Sequence, residues 1–173
     1  QFRDGDEVVC DTAVKLQSKL HQICSGTIIT ESDSKILDES KVRYILKNYQ
    51  GKKIAIFYLY ISEGRVLEDA FPNRWTRSPE VFHDDPSSVF IGQFQSSSRG
   101  IDLSAAEVII FYNIHFSSEL YQQARQRGQE RGKSTATKIH WLFSPEGIEK
   151  KIYAAVRQKQ DYTLSWFLRD YGD

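Results

Sequence analysis

The sequence predicts a three-layer α/β domain, a mostly parallel central sheet with helices on both faces. Three observations carry that expectation. Four short apolar runs, Lys53–Tyr60, Val89–Phe94, Val108–Tyr112 and Lys138–Phe143, are rich in β-branched and aromatic residues, which suits strands buried on both faces. Segments of helical spacing separate them, around Glu63–Ala70, Ser117–Glu130 and Pro145–Gln160, so strand and helix alternate and right-handed crossovers are expected. Finally, 173 residues that are 40% hydrophobic supply one packed domain and are short for two.

Taken in chain order, the apolar positions Val14, Leu16, Leu20 and Ile23 recur at helical spacing between Asp11 and Cys24. The polar stretch Thr30–Ser40 reads as an exposed connection. A second helix is expected over Ser40–Tyr49, with Val42, Ile45 and Leu46 on one face and Gly51 at the stop position. The first strand run and its helix follow. Phe71–Ser88 is rich in proline and irregular. The last long helix has a start signal in Ser144 as cap, Pro145 in the first turn, and Glu146 and Glu149 at the positive helix end. Trp166, Phe167 and Tyr171 are expected to close the domain.

Composition excludes several classes of function. Charged residues at 27% and aromatics at 13% carry no signature of disorder. No apolar run approaches the roughly 18 residues that span a bilayer, so no membrane partner is expected and a cytoplasmic location is the expectation. A formal net charge of zero means that any polyanion must meet a local patch. Cys10 and Cys24 stand apart from each other and from His21, His83, His115 and His140, so no metal site is expected. No nucleophile elbow is present. A chain that opens on Gln1 and contains no methionine is read as a piece of a longer protein.

Two segments stand out as carriers of chemistry, because ligands of open α/β sheets bind beyond the carboxyl ends of the strands. Gln95–Leu103 follows a strand run directly, and its three serines and one glycine offer exposed backbone N–H groups to an anionic or ribose-bearing ligand. Asp102 in it is suited to sugar hydroxyls. The second is Ser117–Lys133, where Arg125, Arg127, Arg131 and Lys133 crowd against the single acid Glu130. Arginine bridges two oxygens of a transferring phosphoryl group with its planar fork. By composition alone the first segment reads foremost as an ordinary turn and the second as a solvated basic helix end, and it is their placement, one strand apart, that favours function. The string Gly128-Gln-Glu-Arg-Gly-Lys-Ser134 imitates a phosphate-binding loop, but it has three residues between its glycines where that loop needs four, and it follows a helix. A phosphate cradle is therefore expected to come from elsewhere.

The order of these segments resembles the superfamily 2 helicases. Ser98-Arg-Gly-Ile-Asp102 resembles motif V, and the strand Val108–Tyr112 with Tyr121-x-Gln-Ala-x-x-Arg127 resembles motif VI. Lys19–Ser25 and Glu146–Tyr153, with Lys159 behind, resemble elements before and after these motifs in the Swi/Snf-type branch, and Lys53–Phe57 sits where the motif IV strand belongs. The resemblance runs from about residue 15 to 168.

It implies the C-terminal RecA-like lobe of a two-lobe ATP-dependent helicase or DNA translocase. Residues 1–40 would be a helix and connection from the missing first lobe, and 41–173 the second lobe. Arg127 and Arg131 would be the catalytic arginine fingers, Gly100, Asp102 and Gln123 would face ATP, and Ser96, Ser97, Ser98 and Arg99 would contact nucleic acid. ATP with Mg2+ would be held mainly by the first lobe, and the partner on the other side would be double-stranded DNA. The fragment alone would be inactive. Two departures are visible: motif VI arginines normally sit three apart, whereas Glu130 occupies that place and Arg131 is one late, and Phe94 replaces a threonine of motif V. Either the helix end delivers Arg131 or one finger is lost. The compact Phe71–Ser88 region points to a phage or prokaryotic enzyme. The alternative is a stand-alone nucleic-acid- or nucleotide-binding module without hydrolysis.

Overall fold

The computed structural model describes residues 10–30, 33–95, 101–126 and 137–172. It contains the predicted sheet. Five parallel strands, β3 (Ile54–Tyr58), β4 (Trp75–Thr76), β5 (Val89–Gln93), β6 (Val108–Phe111) and β7 (Lys138–Trp141), lie in the order β4-β5-β3-β6-β7. The central strands β3 and β6 are buried at every position, which is why their sequences are apolar without alternation. At the edge, β7 exposes Lys138 and His140. The register aligns Gly92, Phe57, Phe111 and Trp141 on one rung, where Phe57 stacks on Phe111 at 5.4 Å and Phe111 on Trp141 at 5.1 Å. Such stacks add about 1 kcal/mol each beyond the area they bury.

Both faces of the sheet are covered. On one, α2 (Ser40–Asn48) and α3 (Ile61–Ala70) bury Val42, Ile45 and Leu67 against Ile54, Ile56, Ile91 and Ile110. On the other, α4 (Pro79–Asp84) contributes Phe82 and α5 (Ser118–Gln126) contributes Ala124 to a cluster around Phe57, Phe90 and Phe111. A third cluster joins α6 (Glu149–Arg157) and α7 (Leu164–Tyr171) through Ile152, Val156 and Phe167, so Phe167 closes the domain as expected.

Four differences from the sequence expectation have physical causes. The connection Thr30–Ser40 is not wholly irregular: β1 (Thr27–Ile29) pairs antiparallel with β2 (Ser34–Ile36). Phe71–Ser88 contains β4 and α4, the latter capped by Ser78 with Pro79 in its first turn. The helix expected from Pro145 begins only at Glu149, because the Glu149 carboxylate turns back to accept from Ser144 N at 2.6 Å. The helix over Asp11–Cys24 exists as α1 (Ala13–Ser25), but it buries Gln17, His21, Gln22 and Ser25 and exposes Val14, Leu16 and Ile23. Its inner side meets backbone carbonyls and a carboxylate, and only polar side chains satisfy those. Gly26, at φ 86°, ends α1 and donates to Gln22 O and Ile23 O, turning the chain into β1.

Candidate functional site

The chain leaves β3 toward β4 and β5 but leaves β6 toward β7, so the strand order reverses between β3 and β6. In an open α/β sheet the crevice at the carboxyl ends of such a pair is where ligands bind. Gln93, Tyr58, Tyr112 and Leu142 follow one another along this rim, and the segments singled out in the sequence follow the strands that end there. Phe94 N donates to Tyr58 O at 2.8 Å and the Gln93 amide donates to Leu59 O at 3.1 Å, which holds the exit of β5 against that of β3.

Two of the sequence-predicted site residues lie within the described structure. Asp102 is exposed and its Oδ1 accepts from Ser104 N at 2.7 Å, a turn that fixes the carboxylate at the surface while Leu103 and Ala106 anchor the segment in the core. Gln123 is partly buried on α5 and donates to Glu119 Oε1 at 3.2 Å. Arg127, Arg131, Gly100, Ser96, Ser97, Ser98 and Arg99 lie outside the described residues. What the structure adds for Arg127 is the helix that leads to it. Tyr121 and Ala124 turn inward, Arg125 and Gln126 are exposed, and the first turn is held by Asp161, whose Oδ1 accepts from Ser118 N at 2.7 Å and from Ser118 Oγ at 2.8 Å. Those bonds hold the Asp161 carboxyl below its usual range.

Sequence reasoning missed the most unusual feature of the rim, a set of buried polar side chains around the connection from β6 to α5. Lys41 Nζ donates to Tyr112 O at 2.9 Å and to Glu149 Oε1 at 2.6 Å. Asn113 donates to both Glu63 oxygens at 2.8 and 2.9 Å and to Ser25 Oγ. Glu63 also accepts from Leu59 N and Tyr60 N, closing the start of α3. His21 Nε2 meets Ile114 O at 2.8 Å and its Nδ1 meets Tyr60 Oη at 2.6 Å. A carbonyl can only accept, so the proton sits on Nε2 and the Tyr60 hydroxyl donates to Nδ1. The signals available in the sequence were faint: the i, i+4 spacing of His21 and Ser25, and Asn113 directly after an apolar run.

Burial is the main reason that His21, Glu63 and Glu149 titrate abnormally. It lowers His21 from 6.5 to about 4, aided by the charge of Lys41 and opposed by the bond to Ile114, and it pushes Glu63 and Glu149 above the usual carboxylate range. The unfolded chain takes up the imidazole proton near 6.5 and the folded chain only near 4. The His21 contribution is therefore complete above pH 6.5 and lost as pH falls toward 4, by about 3 kcal/mol. The two raised carboxylates act oppositely, since protonation favours the folded form. Urea titrations of wild type and His21→Gln across that window are expected to diverge, with wild type losing more; parallel curves would show that His21 is not the group responsible.

Among the described residues, no group of three or more His, Cys, Asp or Glu side chains could hold a metal ion, and no helix is long and apolar enough to cross a membrane. No protein-family model matches the chain. The sequence is 26% identical over 117 residues, 62% of this chain and 8% of the relative, to "Helicase swr1" of Schizosaccharomyces pombe. It is 24% identical over 162 residues, 92% of this chain and 10% of the relative, to "Chromatin-remodeling ATPase INO80" of Saccharomyces cerevisiae. The chain thus spans a tenth or less of the length of these relatives. Both are fungal, which lends no support to a phage or prokaryotic origin. The crystal structure of the C-terminal part of the Fun30 ATPase domain superposes with a TM-score of 0.59 at 21% identity, covering 76% of this chain and 48% of that one. That likeness makes the fold RecA-like, a parallel sheet flanked by helices. In sequence and fold the chain is similar to the C-terminal, helicase-like lobe of Swi2/Snf2-type ATPases.

Proposed function

We propose that this chain is the second motor lobe of an ATP-dependent DNA translocase, and that it acts on ATP bound between itself and a first, phosphate-gripping lobe. The observation that carries this reading is the coincidence of two independent orders. The motif V-like and motif VI-like strings occur in sequence as they do in the helicases, and the strands they follow, β5 and β6, flank β3 at the carboxyl rim where the sheet topology reverses. In this reading Gly100, Asp102 and Gln123 face the nucleotide, Arg127 and Arg131 are the candidate fingers, and Ser96–Arg99 meet the DNA backbone. The Mg2+ and the phosphates belong mainly to the first lobe. Residues 41–173 form the lobe proper, and 1–40 lead in from its partner.

Chemically, the lobe's task is to deliver cationic donors to the γ-phosphoryl group only when the cleft closes, since donors that are present at the transition state and absent from the open state accelerate the reaction. The test is reconstitution. The chain alone is expected to hydrolyse no ATP, and the same chain joined to a lobe bearing a GxxxxGK[ST] loop is expected to hydrolyse it with stimulation by double-stranded DNA. Salt-dependent DNA binding by the chain alone, with no DNA-stimulated hydrolysis in the joined protein, would favour a binding module instead.

A further inference from the structure

Three consecutive residues of the connection between β6 and α5 are each gripped by a buried polar side chain from another element. Lys41 of α2 holds Tyr112 O, Glu63 of α3 and Ser25 of α1 hold the Asn113 amide, and His21 of α1 holds Ile114 O. His21, Ser25, Glu63 and Asn113 are each exposed by 3% or less. This is a costly way to build a core. Buried polar groups contribute less than apolar packing of the same volume, and Asn113 Oδ1 is left buried without a partner among the described residues. What directed hydrogen bonds do provide, and apolar contacts do not, is a single position for a backbone segment.

We propose that α1 is the positioning element for α5: through His21 and Ser25 it fixes Asn113 and Ile114 and thereby the axis along which α5 presents Gln123 and leads to Arg127. The functional weight of this inference rests on the reading of α5 as the finger-bearing helix. In that setting α1, which precedes the lobe in the chain, is mechanically tied to the helix that leads to the cationic groups, and a displacement of α1 reaches α5 through two hydrogen bonds. His21, Ser25, Lys41 and Glu63 are positioning residues in this account and touch no substrate. The outward apolar side of α1, with Val14, Leu16 and Ile23 exposed, leaves its inward side free for this polar contact.

The experiment is amide hydrogen exchange on the 173-residue chain, which needs no nucleotide. His21→Leu is expected to speed exchange in α5, over Ser118–Gln126, at least about tenfold relative to the amides of β3 and β5, whereas His21→Gln, which can still donate to Ile114 O and accept from Tyr60, is expected to retain protection. Val42→Ala, a core change on the opposite face, is expected to raise exchange evenly. Should His21→Leu fail to fold, Ser25→Ala carries the same local prediction with a smaller effect, about threefold. An even rise in both variants, or no rise in α5, would overturn the proposal. Because exchange and ATP turnover are separate readouts, an Arg127→Ala variant with normal turnover removes the functional reading and leaves the α1–α5 coupling standing, and a flat exchange profile does the reverse.

Discussion

Replacing Arg127 with alanine, in a chain joined to a phosphate-gripping lobe, is expected to lower DNA-stimulated ATP turnover about a thousandfold with little change in the apparent KM for ATP. The split follows from when the contact forms. Charge builds on the transferring phosphoryl group as the bond to the leaving oxygen stretches, and a guanidinium that reaches it only in the closed cleft stabilises that state and not the bound ground state. The described structure supplies the approach: α5 is fixed at its start by Asp161 and along its inner face by Tyr121 and Ala124, and Arg127 follows directly on its last described residue, Gln126. Arg127→Lys is expected to recover only a small part of the loss, because an ammonium lacks the planar fork. Arg131→Ala separates the alternatives left open by the shifted spacing. A loss comparable to that of Arg127→Ala identifies a second finger, and turnover near wild type identifies one finger only. Near-normal turnover in Arg127→Ala would withdraw its role altogether.

The sheet was legible in the sequence because a strand buried on both faces has to be apolar throughout, and β3, β6 and the first three residues of β5 are. The helices on its faces were legible for a related reason, since Val42 and Ile45 must meet a hydrophobic surface at helical spacing, although Leu46, expected on the same face, is exposed. Periodicity misled where the surface to be met was not hydrophobic. In α1 the apolar stripe identified a helix correctly, but its polar side faces in, because Ile114 O and the Glu63 carboxylate lie beneath it, and of the stripe only Leu20 packs against the core. Pattern reasoning assigns inside and outside by polarity, so it inverts at such a place. The start of α6 failed for a similar reason: Ser144 and Pro145 satisfy the local rules for a helix start, yet Glu149 is drawn into a buried ion pair that no local rule sees.

The candidate site divides the same way. Asp102 and Gln123 were singled out by motif resemblance, and the structure places one in the connection after β5 and the other on α5. His21, Lys41, Glu63 and Asn113 were not singled out as site residues, because each acts through partners between about 40 and 110 positions away in sequence, such as Tyr60 for His21 and Glu149 for Lys41. Their roles come from the topology, which brings α1, α2, α3 and α6 to one rim. A motif records the residues that face the ligand and is silent about those that hold the motif in place.

The other large effect is expected at the Lys41–Glu149 pair, whose side chains are exposed by 10% and 0%. Lys41→Met should destabilise the chain by about 3–5 kcal/mol at neutral pH, measured by urea unfolding, because it strands a buried carboxylate and leaves Tyr112 O without its donor. The loss should depend on pH with a definite sign. Burial already pushes the Glu149 carboxyl upward, and Lys41 opposes that push. Without Lys41 the carboxyl goes higher still, so the variant regains stability as pH falls and Glu149 takes up a proton, while the deficit grows as pH rises. Adding Glu149→Leu removes the stranded charge, and the double variant is expected to be more stable than Lys41→Met alone, with a shortfall from wild type of about 1–3 kcal/mol for the unpaired Tyr112 O and Ser144 N. If Lys41→Met unfolds at the wild-type urea concentration, or if its loss is independent of pH, the pair does not bear the charge assigned to it. A double variant as stable as wild type but with faster exchange in α5 would separate the two roles of Lys41, since the energy of the pair would then be dispensable and only its hold on Tyr112 would remain to explain why a lysine is buried there.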